Sequence, residues 1–243
     1  MTIISSASRQ IILDTETTGM NQAGGAIYIG HRIIEIGCVE VINRRLTGRH
    51  FHVYLKPDRD IQSEAIEIHG ITDEFLLDKP EYKSVHDEFL AFIQGAEMVA
   101  HNAPFDVGFI NQEFAKFDPK VGKVEQFCQI TDTLAMAKKI FPGKRNNLDI
   151  LCDRYGIDNS HRTLHGALLD AEILADVYLL MTGGQTSLQF NAGSNSEGVG
   201  GESIKRVSSE RKALKVLRAT ADEIEAHNSR LDIVEKSGNC LWR

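Results

Sequence analysis

The chain has 243 residues, which is enough for one domain with an appendage or for two small domains. Its hydrophobic fraction of 42% and charged fraction of 25% are typical of a folded globular protein and exclude extended disorder over most of the length. No run approaches the roughly 20 apolar residues of a membrane-spanning helix, and the first residues do not resemble a secretory signal. We therefore expect a cytoplasmic protein.

The charge of the chain is spread unevenly. The net charge is −7, which disfavours non-specific DNA binding through a cationic surface. Residues 204–243 hold nine basic and six acidic side chains, so the strongly acidic part is 1–203. The stretch just before 204 is rich in Gly, Ser and Asn, as flexible linkers are. These features predict a folded domain at 1–186, a linker at 187–203 and a tail at 204–243 that binds a different partner.

The first predicted elements in chain order are three strands. Residues 10–13 form a short apolar run that leads into Asp-Thr-Glu-Thr-Thr-Gly, which predicts a buried strand followed by a polar turn. Residues 32–42 are mostly β-branched and apolar, and residues 50–55 alternate before Lys-Pro ends the run. Their close succession favours an antiparallel meander.

The later elements alternate between strands and helices. The spacing of apolar residues predicts helices at 84–94, 105–117, 132–140, 148–155 and 166–181, and strands at 97–100 and 127–130. Strands first, followed by strands that alternate with helices, predict an α/β domain with a mixed sheet.

Acidic residues follow two of the predicted strands. Asp14 and Glu16 are two residues apart, so an extended backbone would direct both carboxylates to one side. Taken alone, the pair is also compatible with an ordinary solvated turn. Asp106 follows the strand at 97–100 and is equally compatible with a helix N-cap or a first-turn acid.

A third acid lies within a predicted helix. Asp170 falls in the apolar stripe of the helix at 166–181, where an unpaired carboxylate is costly to bury. It therefore needs a metal, a cation or a hydrogen-bond donor. His165 lies near the start of the same helix and could stand beside such a site without binding metal, although an exposed loop histidine is an alternative.

Together, these four carboxylates and one histidine match the layout of a two-metal phosphodiesterase site. Such a site uses hard oxygen ligands for Mg²⁺ or Mn²⁺. Two ions about 4 Å apart stabilise the attacking and leaving oxygens. A histidine is suited to take a proton from water near neutral pH.

The motifs at these positions resemble a known family. LDTETTG at 13–19, HNAPFDVGF at 101–109 and HGALLDA at 165–171 resemble the three motifs of DEDD exonucleases of the histidine variant. Longer stretches such as IIEIGCVEVINRRLTG and EIHGITDEFLLDKP resemble the epsilon subunits of bacterial DNA polymerase III across 9–187, and the ending LDIVEKSGNCLWR resembles their tail. The resemblance implies a ribonuclease-H-like mixed sheet flanked by helices, with a linker and a helical tail. It also implies a proofreading 3′→5′ exonuclease that releases nucleoside 5′-monophosphates from mispaired or single-stranded DNA.

The resemblance also implies roles for single residues. Asp14, Glu16 and Asp170 would hold two Mg²⁺ or Mn²⁺ ions, with Asp14 bridging them, and Asp106 would complete the set. The first three of these carboxylates would also contact the substrate. His165 would be the general base.

Further substrate contacts are implied more weakly. The family places Asp60, Glu64 and His69 beside the terminal nucleotide, and the backbone at Thr15 and Thr17 near its sugar and base. The polar character of 57–70 agrees with this, although His69 is equally compatible with a turn residue before a glycine.

The linker and tail carry predicted partner sites. Gln185, Leu188 and Phe190 resemble a motif that docks on the sliding clamp, although a helix exit with incidental apolar residues is an alternative. Residues 204–243 would bind the polymerase alpha subunit through two apolar stripes and Trp242, or alternatively pack back on the nuclease domain. The stripes are Ile204, Val207, Leu214 and Leu217, and then Ile224, Leu231 and Val234. The resemblance also suggests a small theta-like subunit.

Two other functions were compared with DNA proofreading. An RNA 3′→5′ exonuclease of the ribonuclease T or oligoribonuclease type would use the same site, but it would not need the tail or the clamp-like peptide. A scaffold without activity is disfavoured because all five site residues are intact.

Overall fold

A computed structural model describes residues 9–160, 162, 164–183 and 218–238 of the chain. The chain divides into two compact units, Met1–Leu188 and Gln189–Arg243. The clamp-like residues, the whole predicted linker, the first apolar stripe of the tail and Trp242 lie outside the described residues.

The first unit is built on a sheet of five strands in the order β3-β2-β1-β4-β5. Strands β1, β2 and β3 pair antiparallel, whereas β4 pairs parallel with β1 and with β5. The predicted meander and mixed sheet are therefore confirmed. The strands are β1 at Arg9–Thr17, β2 at Ile33–Ile42, β3 at Arg45–Tyr54, β4 at Glu97–Ala100 and β5 at Gln129–Asp132.

Helices cover both faces of this sheet. Their ends carry the expected signals: Asn147 caps one N-terminus with its side chain, and Gly70 and Gly156 end two helices in the left-handed conformation. In the described part of the chain, one 3₁₀ turn is present, at Val124–Gln126. The helices are α1 at Ser63–His69, α2 at Asp73–Leu76, α3 at Tyr82–Ile93, α4 at Pro104–Phe117, α5 at Thr133–Ile140, α6 at Leu148–Tyr155 and α7 at Ala167–Thr182.

Strand β1 contributes to the core on both of its sides. Ile11 and Leu13 are fully buried in a cluster with Phe109 of α4 and with side chains of α3. Ile12 points the other way and packs in a second cluster with Leu174 of α7. Burial of apolar side chains on both faces fixes the register of the strand, because a slip of one residue would exchange the two sides. Odd positions of β1 therefore face α4 and even positions face α7.

Helix α7 approaches the sheet closely at its start. A Cβ at Gly37 of β2 would lie 2.2 Å from the carbonyl carbon of Ala167, a distance that no side chain tolerates. Glycine at this position therefore lets the first turn of α7 rest on β2. This contact places the start of the helix beside the ends of β1 and β2.

Several elements differ from the sequence prediction, among them β5, which lies two residues later than expected. Strand β1 continues through the acidic residues to Thr17, and β3 begins at Arg45 rather than at position 50. Helices α1 and α2 were not predicted. In the second unit, helix α8 spans Ala221–Ser237. None of the described helices is long and apolar enough to cross a membrane.

Candidate active site

Asp14 and Glu16 lie inside strand β1 rather than in the polar turn that the sequence suggested. Asp14 pairs with Gly37 and Glu16 with Glu35 of the antiparallel neighbour β2. Because the two acids occupy even positions, they share the side of the sheet that α7 covers. Backbone pairing thus holds both carboxylates near the first turn of that helix.

Asp106 reaches the site from the opposite side of β1. It lies in the first turn of α4, is 2% exposed, and accepts a hydrogen bond of 2.7 Å from the hydroxyl of Thr15. Burial raises the pKa of Asp106 to about 7, although the hydrogen bond from Thr15 acts in the opposite direction. Thr15 was expected to contact substrate through its backbone, and the structure adds this side-chain role.

Asp170 lies in the first turn of α7 and is 3% exposed. Its carboxylate accepts hydrogen bonds from Arg162, at 2.5 Å from Nε and 2.6 Å from Nη2. Burial acts to raise the pKa of Asp170, but hydrogen bonds from His165 and Arg162 overcome this effect and hold the pKa below its usual value. This acid therefore stays ionised beside a guanidinium.

His165 stands at the edge of the site. Its Nδ1 lies 3.2 Å from Oδ2 of Asp170 and 2.7 Å from Nη2 of Arg162, and its side chain is 47% exposed. The backbone N–H of His165 donates to the carbonyl of Ile68 at the end of α1, at 3.2 Å. The ring is thus held near the carboxylates while one side remains open to solvent.

The site concentrates negative charge. Burial and the charges of Asp106, Glu16 and Asp170 hold the pKa of Asp14 well above its usual range. Burial, followed by the charges of Glu35 and Asp170, raises the pKa of Glu16 to about 8. Groups with pKa values shifted in this way by burial and by one another are typical of functional sites.

One group of side chains has the spacing of a metal site. Single ligand atoms of Glu16, His165 and Asp170 all lie within 4.8 Å of one another. Asp14 and Asp106 fall outside this group, although their carboxylates interact electrostatically with it. Buried carboxylates that repel one another fit a hard divalent cation, since its charge would relieve the repulsion.

Arg162 and its partner Asp149 were not among the site residues predicted from the sequence. Arg162 is 6% exposed and joins Asp170 to Asp149, whose Oδ1 lies 2.6 Å from Nη1. The only signal was a basic residue three positions before His165, which in a loop is usually solvated. The pairing depends on the approach of α6 to α7 and could not be inferred from spacing.

A cavity of about 200 Å³ opens beside the carboxylates. Glu16 forms part of its wall, together with Glu64 and His69 of α1, and Phe105 of α4 contributes an apolar side. Asp60 lies instead at a separate cavity of about 260 Å³, lined by residues from Lys56 to Leu77. The structure thus brings two of the three weaker predicted contact residues to the carboxylates and leaves the third apart.

His69 is a structural link as well as part of the cavity wall. It is the last residue of α1 and is 6% exposed. Its Nδ1 accepts a hydrogen bond from the N–H of Ile71, and its Nε2 lies 3.3 Å from the carbonyl of Thr17. Burial lowers the pKa of His69, so the neutral ring that these two contacts require is favoured.

The second unit contains the described part of the tail. Thr220 and Glu223 form a reciprocal capping box at the start of α8. Ile224 and Val234 are exposed on this helix, and Leu231 is partly buried. The expected second stripe is therefore present on a helix.

Comparisons with known proteins identify the family of the chain. A family model described as Exonuclease matches residues 11–178. Exonuclease X, solved in complex with 5′ overhanging duplex DNA, superposes with a TM-score of 0.51 at 26% identity, over 72% of this chain and 91% of its own. Escherichia coli exonuclease I, in a complex with single-stranded DNA, gives a TM-score of 0.60 over 73% of this chain and 41% of its own, and at 19% identity it supports the fold alone.

Sequence relatives are more similar still. DNA polymerase III subunit epsilon of Escherichia coli strain K12 is 60% identical over 238 residues, which cover 97% of this chain and 98% of the relative. The same subunit of Haemophilus influenzae is 59% identical and covers 97% of this chain and 94% of the relative. The chain therefore belongs to the exonuclease family and, within it, to the epsilon subunits of DNA polymerase III.

Proposed function

We propose that this chain is the proofreading 3′→5′ exonuclease of a replicative DNA polymerase, and that it hydrolyses the terminal phosphodiester of mispaired or single-stranded DNA. The observation that carries the proposal is the convergence of Asp14, Glu16, Asp106 and Asp170 with His165 around the second half of the central strand β1. Membership of the epsilon family supports DNA rather than RNA as the substrate. The products are nucleoside 5′-monophosphates.

The four carboxylates are proposed to hold two Mg²⁺ or Mn²⁺ ions. When bound, such ions supply positive charge to the attacking water and to the leaving 3′-oxygen. Asp14 lies between the others in the electrostatic sense, because its pKa responds to all three after burial. A divalent charge would relieve this repulsion, so Asp14 would serve both ions together with Glu16 and Asp170, and Asp106 would complete the set.

His165 is proposed to accept the proton of the attacking water. Its Nδ1 is engaged by Asp170 and Arg162, whereas Nε2 has only a long contact of 3.5 Å with Arg162. Nε2 is thus the ring nitrogen that is available for a proton. The exposure of the side chain lets the ring exchange that proton with solvent between turnovers.

The cavity of about 200 Å³ is proposed to receive the terminal nucleoside. Its apolar wall suits the face of a base, and its volume requires that base to be unstacked from its neighbour. Because a mispaired end frays at lower cost than a matched end, the site favours mismatches. Glu64 and His69 are the proposed contact residues there, whereas Thr15 and Asp60, which were also predicted to contact the substrate, do not line this cavity.

The remaining parts of the chain are proposed to bind replication partners in the cytoplasm. Residues 204–243 would bind the polymerase alpha subunit. The peptide that contains Gln185, Leu188 and Phe190, at the start of the 187–203 linker, would bind the sliding clamp. A theta-like subunit would bind the 1–186 domain. The match to the epsilon subunits spans nearly the full chain and so includes the tail.

A digestion assay tests the activity. Primer DNA with matched or mismatched 3′ ends, and RNA of the same sequence, are incubated with the full chain in Mg²⁺, in Mn²⁺ and in EDTA. We expect faster release of nucleoside 5′-monophosphates from mismatched than from matched DNA, and no release in EDTA or with Asp14→Ala. Faster digestion of RNA than of DNA would instead favour the ribonuclease alternative.

A further inference from the structure

Glu35 is a buried acid beside the site that metal binding does not explain. It is 2% exposed on β2 and lies directly opposite Glu16 of β1. Like charges placed opposite each other in a sheet are destabilising. A carboxylate at this position therefore needs strong compensating contacts.

Those contacts join three elements of the fold. Oε1 of Glu35 lies 2.7 Å from Nε2 of His52, and the hydroxyl of Tyr54 interacts with the same carboxylate. Oε2 accepts a hydrogen bond of 3.1 Å from the backbone N–H of Ala167. His52 and Tyr54 belong to β3, whereas Ala167 is the first residue of α7. Glu35 thus ties the outer strand to the start of the helix.

The start of α7 has no cap of its own. The N-cap residue is Gly166, which has no side chain to accept a hydrogen bond from the free N–H groups of the first turn. Glu35 supplies this acceptor from the neighbouring strand, and its negative charge suits the positive end of the helix dipole.

The backbone N–H of Ala167, which Glu35 anchors, lies between His165 and Asp170 in the sequence. His165 precedes Gly166, and the N–H of Asp170 donates to the carbonyl of Gly166 at 2.8 Å. A movement of the Gly166–Ala167 peptide would therefore shift both side chains together. The backbone of Glu35 meanwhile pairs with Glu16, so one residue contacts both halves of the site.

We propose that Glu35 is a positioning residue for hydrolysis, which fixes the start of α7 through the Ala167 N–H and thereby places His165 and Asp170 against Glu16. This inference rests on the roles proposed above for His165 and Asp170. Glu35 itself is not assigned a contact with metal or substrate.

Replacement of Glu35 tests the proposal in the full-length chain. In Glu35→Ala we expect kcat to fall by about 100-fold, as for a displacement of catalytic groups by about 1 Å, with a smaller change in KM. The affinity for Mn²⁺, measured by calorimetry without DNA, should also fall. Glu35→Gln should restore most of kcat, because an amide can accept from the Ala167 N–H and donate to His52.

Glu40 provides a matched control. It lies on the same strand, is 1% exposed, and is bonded to Arg9 and Arg49 rather than to α7. Glu40→Ala should lower the melting temperature but leave kcat and Mn²⁺ affinity unchanged. An equal loss of kcat in Glu40→Ala would mean that Glu35 acts only through stability, and would overturn the proposal.

Amide hydrogen exchange reports on the anchor directly. The Ala167 amide should exchange faster in Glu35→Ala than in the unsubstituted chain, and slowly again in Glu35→Gln. A folded Glu35→Ala variant with unchanged kcat and a protected Ala167 amide would overturn the proposal.

Three further variants keep the test decisive. If Glu35→Ala does not fold, Glu35→Asp is measured instead. Its side chain keeps the charge but is one methylene too short to reach both His52 and Ala167, so kcat should fall. An unchanged kcat would overturn the proposal. Asp170→Ala and His165→Ala are measured alongside. Activity in those two variants would refute the site itself, whereas their inactivity beside a fully active Glu35→Ala would refute only the positioning role.

Discussion

Arg162 should stabilise the protein strongly in the absence of metal and weakly in its presence. Its guanidinium makes two hydrogen bonds to Asp170, and both side chains are more than nine-tenths buried. Loss of one partner from a buried ion pair costs about 3–5 kcal/mol, because the other charge stays buried. The bond to Asp149, whose side chain is 50% exposed, adds only about 0–1 kcal/mol. For Arg162→Gln we therefore expect a loss of about 3 kcal/mol in EDTA.

Metal ions should reduce this loss. A divalent ion on Asp170 supplies the positive charge that the guanidinium otherwise provides, so the two cations substitute for each other. With 1 kcal/mol corresponding to about 2–4 °C in a domain of this size, Arg162→Gln should melt about 6–12 °C lower in EDTA. In saturating Mn²⁺ the difference should shrink to a few degrees.

Thermal unfolding in the two buffers measures this coupling. Arg9→Gln is the matched control, since Arg9 also bonds a buried acid, Glu40, but lies in a cluster without any of the proposed metal ligands. Its loss of stability should be equal with and without Mn²⁺. Equal losses for Arg162→Gln in both buffers would refute the idea that Arg162 and the metals share Asp170.

Four further predictions concern the same site and the tail. Asp14→Ala and Asp170→Ala should each abolish hydrolysis in saturating Mg²⁺, and residual hydrolysis near the normal rate would contradict the metal assignment. In EDTA, Asp14→Ala should raise the melting temperature by removing repulsion, whereas Asp170→Ala should lower it because Arg162 loses its buried partner and keeps only the half-exposed Asp149. His165→Ala should lose the acidic limb of the pH–rate profile while it keeps Mn²⁺ binding, as calorimetry can establish. Without metal, the free energy of unfolding should fall as pH rises from about 4 to about 8. The reason is that Glu16 in the folded protein, with its pKa of about 8, still holds a proton that the unfolded chain has released. Urea titrations at several pH values measure this slope, and Glu16→Gln should flatten it. A fragment that ends near position 186 should digest single-stranded DNA at nearly the full rate but should not co-elute with the polymerase subunit in size-exclusion chromatography; co-elution would place the tether elsewhere.

Elements with clear apolar spacing could be predicted from the sequence. Strand β4 and helix α6 have the expected bounds, α4 begins one residue earlier than expected, and α7 is shifted by one residue at both ends. Asn147 and Gly156 mark the two ends of α6. Local sequence signals were sufficient to locate these elements.

Elements that depend on distant partners were predicted less well. The extension of β1 through Asp14 and Glu16 was missed because two acids close together are typical of a turn, whereas pairing with Gly37 and Glu35 keeps the chain extended. Helix α1 was missed because seven residues show little periodicity, and only the glycine that follows marks its end.

The residues of the candidate site also fall into two groups, those predicted from local sequence and those identified only by tertiary contacts. The motifs contain Asp14, Glu16, Asp106, His165 and Asp170, so their sequence context was sufficient to select them. Two other residues lie outside these motifs: Arg162, which pairs with Asp170, and Glu35 of β2, which accepts a hydrogen bond from the first residue of α7. Tertiary contacts assign them, and these contacts are not encoded in local spacing.

The alternation of side chains along β1 couples the packing of the core to the orientation of the acidic residues. Ile11, Ile12 and Leu13 insert into the two hydrophobic layers, and the acids that follow are directed by the same zigzag. A one-residue slip of β1 would misplace these apolar side chains and would also turn Asp14 and Glu16 away from α7. Correct packing of the interior is therefore a condition for assembly of the carboxylate site.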